Sequence, residues 1–96
     1  MEKVFSWDEE KNKKLLIERN ISFEAIVSRL EEDGLIALSS GKGKYSHQKQ
    51  FIVEMNRYIY IVPYVEDNEK YFLKTIIPSR KLTKRFLQGD DADEKV

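Results

Sequence analysis

Between Phe51 and Ile77 the chain reads as three β-rich runs, Phe51 to Met55, Tyr58 to Val65 and Lys70 to Ile77, parted only by Asn56-Arg57 and by Glu66 to Glu69. Connections this short join antiparallel neighbours, whereas a parallel pair needs a crossover of a dozen residues or more. The spacing therefore predicts an antiparallel meander. In its middle run both alternating faces are apolar or aromatic, Tyr58, Tyr60, Val62 and Tyr64 against Ile59, Ile61 and Val65, which suits a central strand packed by helices on at least one side. Pro63 has no N–H to give to a ladder, so that end of the strand must lie at an edge, a bulge or a pairing gap.

Upstream the period changes. Phe23, Ile26, Val27 and Leu30 fall at i, i+3, i+4 and i+7, one apolar stripe that predicts a helix near 22 to 32, with Ser22 as its N-cap and Gly34 able to take a left-handed turn past its end. A less amphipathic helix near 8 to 19 precedes it, capped by Ser6 or Asp8 and stopped at Asn20. Lys3 to Ser6 and Leu35 to Leu38 suit short strands. Ser39 to Gln50 has no periodicity and reads as a loop. After Pro78, Ser79 is placed to cap a last helix to about Gln88, with Gly89 beyond it. The expectation is one α+β domain over residues 1–89, with N-terminal helices, then an antiparallel meander, then a short basic helix. An acidic flexible tail over 90–96 follows.

The chain has 96 residues, no cysteine and one histidine, His47. Disulfides, thiolate metal sites, a histidine zinc cluster and a nucleophilic triad are thereby excluded, and no metal or cofactor is expected. No run reaches the roughly 20 apolar residues that span a bilayer, and the N-terminus lacks a signal-peptide pattern, so a cytoplasmic protein with no membrane partner is expected. The net charge of zero conceals a division. Residues 1–34 hold nine acids and six bases, whereas residues 35–88 hold four acids and ten bases. A local basic field of this kind attracts nucleic acid or acidic protein.

Arg80, Lys81, Lys84 and Arg85 share an arc of about 140° on a helical wheel, with Leu82 and Phe86 on another side as the docking residues. Cations in a first turn oppose the helix dipole, a local cost that points to function; the alternative is a solvated face that keeps a small domain soluble, and the basic field of residues 35–88 favours binding. Ser79-Arg80-Lys81 suits a phosphate, through outward N–H groups and a two-pronged guanidinium. Lys42, Lys44 and Lys49 extend this basic surface from the loop, an ordinary solvated loop being the equal alternative. Gly41-Lys42-Gly43-Lys44 lacks nucleotide-loop spacing. Tyr58, Tyr60, Tyr64 and Tyr71 stand on the sheet as half-buried packing or, less often, as base-stacking rings, with Tyr64 and Tyr71 on opposite sides. No helix-turn-helix spacing and no paired recognition helix occur, which leaves a DNA-binding regulator as the least supported of the open classes.

At Phe5-Ser6-Trp7-Asp8, Lys11-Asn12 and Ile21-Ser22-Phe23-Glu24-Ala25, then at Arg57 to Glu66 and Ile76-Ile77-Pro78-Ser79-Arg80-Lys81 with Thr83-Lys84-Arg85, the sequence resembles BrnT-type toxins. These belong to the RelE-like group of bacterial type II toxin-antitoxin systems. The resemblance spans most of residues 4–86. It implies a RelE-like fold and a cytoplasmic, metal-independent ribonuclease that uses the RNA's own 2′-hydroxyl and is neutralised by a cognate antitoxin of ribbon-helix-helix type. Arg80, Lys81 and Arg57 would be its catalytic charge stabilisers, with Lys84 and Arg85 binding RNA and DNA met only through the antitoxin; Lys42, Lys44 and Lys49, in a loop with no clear counterpart in the family, would add to the RNA-binding surface. The small residue expected before Ser79 is Pro78 here, and the last helix holds fewer arginines than typical members. The alternative is a non-catalytic module whose basic helix docks an acidic protein or a nucleic-acid backbone.

Overall fold

The computed structural model describes residues 4–40 and 49–87. They form an α+β fold in the order β1 (Val4–Ser6), α1 (Glu9–Arg19), α2 (Phe23–Glu31), β2 (Leu35–Ser40), β3 (Lys49–Met55), β4 (Tyr58–Glu66), β5 (Lys70–Leu73), β6 (Ile77–Pro78) and α3 (Arg80–Leu87). The expected loop is shorter than the sequence suggests, since Ser39 and Ser40 belong to β2 and Lys49 and Gln50 to β3. Lys42, Lys44, His47 and the acidic tail lie outside the described residues.

Local chemistry sets the helix ends. The Asp8 carboxylate accepts the Glu10 N–H at 2.9 Å to start α1, and Asn20 ends it in the left-handed region at φ 57°. The Ser22 hydroxyl accepts the Ala25 N–H at 3.2 Å to start α2. Gly34 plays a different part from the left-handed cap expected of it. A Cβ there would stand 2.8 Å from Cβ and Nε of Arg29, so Gly34 provides room. Through that gap Arg29 donates from Nε to the Glu54 carbonyl at 2.9 Å and pairs with the Glu54 carboxylate at 2.8 Å, tying α2 to β3.

Asn12, buried on α1, is the second tie. Its Oδ1 accepts the Phe23 N–H and its Nδ2 donates to Glu24, both at 2.8 Å, while Trp7 stacks on Phe23 with centroids 5.6 Å apart. The N-terminal residues that carry the toxin resemblance thus build the α1–α2 corner.

The sheet is mixed, with strand order β1-β5-β4-β3-β2 and β6 beside β4. The expected antiparallel meander is present in β3, β4 and β5, and the opening strand is where Lys3 to Ser6 placed it; what differs from a purely antiparallel sheet is that β1 joins it parallel to β5, Phe5 beside Tyr71. Phe5 stacks on Tyr71 at 5.3 Å and meets Phe51 at 6.1 Å, burial that a three-residue strand cannot find alone. The third β-rich run is also divided. Residues 71–73 pair with 64–66 and residues 77–78 with 60–61, leaving a break opposite Pro63. The Pro63 carbonyl accepts Lys74 N–H at 2.8 Å across that break. In a strand one residue's carbonyl and amide point the same way, so the missing N–H faces the break: of the three options for Pro63, the pairing gap is the one adopted.

Leu15, Ile21, Phe23 and Ile26 from the helices bury Phe51, Val53, Met55, Val62, Tyr64, Leu73 and Ile76 on one sheet face. No helix among the described residues is long and apolar enough to cross a membrane.

Candidate functional site

α3 is held to the sheet by hydrogen bonds rather than by its apolar side chains. β6 is only two residues long, and where it stops the edge of β4 still presents the N–H and carbonyl of Ile59, a fully buried residue. Ser79 N–H donates to the Ile59 carbonyl at 2.9 Å, and Ile59 N–H donates to Thr83 Oγ1 at 2.8 Å. The Thr83 hydroxyl passes its own proton to the Ser79 carbonyl at 2.7 Å. One threonine side chain therefore completes the ladder that β6 leaves short, and Thr83 is 2% exposed. Of the two residues expected to dock this helix, Leu82 is half-buried, whereas Phe86 departs from the expectation at 46% exposed. An amphipathic wheel finds apolar side chains but not a hydroxyl that replaces a strand.

With Thr83 turned inward, Arg80, Lys81, Lys84 and Arg85 are all exposed, and no ion pair among the described residues involves any of them. α3 has no acid in its first turn. Ser79 Oγ accepts the Leu82 N–H at 3.2 Å, which leaves the Arg80 and Lys81 N–H groups without a partner among the described residues. Positive side chains and open backbone donors meet at that end, a combination that suits an anion.

Arg57 occupies the turn between β3 and β4 at φ 65°, with its N–H donating to Glu54 at 3.3 Å and its guanidinium exposed. The chain runs from β6 into α3 toward this turn, since Ile77 and Pro78 pair with Ile61 and Tyr60 in that order. Lys49 does not join the group. It sits five residues along β3 from Glu54, the partner of Ile59, which is roughly 17 Å at strand spacing, and pairs with Glu66 at 3.2 Å.

The four sheet tyrosines divide. Tyr64 is buried against Phe51 at 4.0 Å and meets Tyr71 edge-on at 5.4 Å, so these two share one side instead of opposing each other. Tyr58 and Tyr60 stay half-buried with rings 5.6 Å apart. Tyr60 is the register partner of Pro78, two residues before Arg80. Burial first, and then the neighbouring Tyr58, push the Tyr60 phenol above its ordinary 10.0. The ring holds its proton and remains a donor. The β4–β6 register sets the Tyr60 backbone beside Pro78, while its ring shares the face of Val53 and packs against the core under the helices.

No His, Cys, Asp and Glu grouping that would hold a metal occurs among the described residues. A shallow depression on the outer side of α1 is lined by charges of both signs, including Asp8, Lys11 and Lys14, and carries no chemistry of its own. No family model, curated protein or solved structure matches the chain.

Proposed function

We propose that this chain is the toxin of a type II toxin-antitoxin pair, a RelE-like, metal-independent ribonuclease silenced by a protein antitoxin. What supports the reading is the basic face of α3, without an ion pair among the described residues and held to β4 through Thr83 and Ser79. Attack of an RNA 2′-oxygen on the adjacent phosphorus forms one P–O bond as the bond to the 5′-oxygen breaks. The products are a 2′,3′-cyclic phosphate and a 5′-hydroxyl. Negative charge grows on the phosphorane oxygens, and fixed cations lower that barrier without any metal. Arg80 and Lys81 supply this charge, Arg57 supports them from the turn, and Lys84 and Arg85 hold neighbouring phosphates. Water gives a proton to the leaving 5′-oxygen, and the 2′-proton passes to water.

The test is cleavage of a labelled single-stranded RNA by the purified chain in excess chelator. Expected are fragments ending in cyclic phosphate, lost on Arg80→Ala. Binding that weakens steeply with salt, without cleavage, would leave the non-catalytic module as the better reading.

A further inference from the structure

Helices α1 and α2 cover one side of the sheet, and the other side is only partly closed. Cross-strand partners point the same way, so Ile52, Ile59, Ile61, Val65, Phe72 and Ile77 share the second face. Ile52 and Ile59 are buried there, with α3 packed along β4. Beyond them, and past the half-buried Ile61 and buried Pro63, apolar side chains come to the surface: Val65 and Phe72, direct partners across β4 and β5, are 51% and 37% exposed, and Ile77 is 42% exposed. A sheet face turned to water ordinarily alternates to polar residues, and contiguous exposed apolar side chains mark a binding surface.

Charge identifies the occupant. Lys70 stands on this face beside Phe72, and the exposed cations of α3 follow directly on Ile77 and Pro78. The one acid on the face among the described strand residues, Glu54, is already paired with Arg29. The surface is therefore apolar within a positive border. A second copy pairing through it would bring like charges together across a two-fold axis, which costs affinity. Nucleic acid would satisfy the cations but offers no aliphatic surface to Val65 and Ile77.

We propose that this face docks an amphipathic helix of a different protein, its apolar stripe on Val65, Phe72 and Ile77 and its carboxylates on Lys70 and the cations of α3. A helix is the element that closes a bare sheet face, as α1 and α2 do on the other side. Its anchors would recur at i, i+3 or i+4, and i+7. The inference rests on the reading of the chain as one held by a protein partner, and is independent of cleavage.

The test titrates the isotope-labelled full chain with a synthetic amphipathic helix bearing leucines at that spacing and glutamates elsewhere. Peptides of the same composition in scrambled order, and with lysine for glutamate, are the controls. Amide shifts should concentrate at Lys70, Phe72, Val65, Ile77 and α3, leaving α1 unmoved, and neither control should bind. Phe72→Ser and Val65→Thr should each weaken binding by about tenfold or more, with melting temperature recorded beside each. Equal binding by the scrambled peptide overturns the proposal, as does self-association through Phe72 in sedimentation, or displacement of the same amide signals by single-stranded RNA. Growth on induction separates the two readings: a harmless chain that still takes the peptide on this face removes the toxin assignment and keeps the docking site.

Discussion

The Thr83 hydroxyl accepts the Ile59 N–H at 2.8 Å, so a helix side chain stands where the next strand would be. Everything proposed for α3 depends on this bond, because it aims the cations outward. Thr83→Val keeps the shape but leaves the Ile59 N–H buried and unpaired, a loss of about 1 to 3 kcal/mol. Denaturant unfolding should show that loss, and hydrogen exchange at Ile59 should quicken. Thr83→Ser should retain most of the stability. Equal stability of the valine variant would mean that α3 is not held in this way.

Arg80→Ala should relieve growth arrest on induction and slow RNA cleavage on the order of 100-fold to 1000-fold, as expected for removal of one preorganised charge stabiliser. Its melting temperature should not change, since the side chain is exposed and lacks an ion pair among the described residues. Lys81→Ala should act in the same direction with a smaller effect, a point charge lacking the two-pronged geometry of arginine. Undiminished toxicity of a folded Arg80→Ala chain would end the catalytic assignment.

Tyr60 yields a pH dependence with a defined sign. Its phenol is raised above 10.0 in the folded chain by burial and by Tyr58, while the unfolded chain ionises near 10.0. The folded state therefore binds the proton more tightly, and its advantage is complete below pH 10 and is lost as pH climbs through the raised value. Compared with Tyr60→Phe, the native chain should lose stability only on the alkaline side of pH 10. An acid-side difference between the two proteins would contradict the assignment.

Gly34→Ala should destabilise by about 1 to 3 kcal/mol, the usual cost of overpacking. The new methyl would lie 2.8 Å from Arg29 Cβ and Nε, so the guanidinium must leave Glu54 or the backbone must shift. A denaturant midpoint equal to that of the native chain would show that Arg29 gives way freely.

Asn12→Ala should cost a similar amount, because Phe23 N–H is buried and loses its acceptor. Asn12→Asp keeps the acceptor but sets a carboxylate against Glu24 in place of the amide donor. Stability of the aspartate variant should recover as the introduced carboxyl is protonated at low pH, which the alanine variant cannot do. Parallel melting profiles against pH for the two would exclude this account.

The sequence by itself determined the elements whose signals are local. Ser22 and the stripe from Phe23 to Leu30 specify α2 through capping and period, and Asn56-Arg57 specifies the β3–β4 hairpin, both residues taking the positive φ that tight hairpin turns require. The cations of α3 were legible for the same reason, while Pro63 only limited its end of the strand to an edge, a bulge or a gap, and the structure chose the gap. Period reports which face a residue shares and says nothing about which strand lies beside it. Only the tertiary structure decided that β1 joins β5 in parallel, that Tyr64 and Tyr71 meet in the core while the Tyr60 backbone lies beside Pro78, and that Lys49 pairs with Glu66 away from α3. It also decided that Thr83 anchors α3 and that Phe86 stays exposed. Those outcomes are set by hydrogen-bond groups and rings brought together from residues far apart in the chain, and their pairing becomes defined only once the sheet has closed.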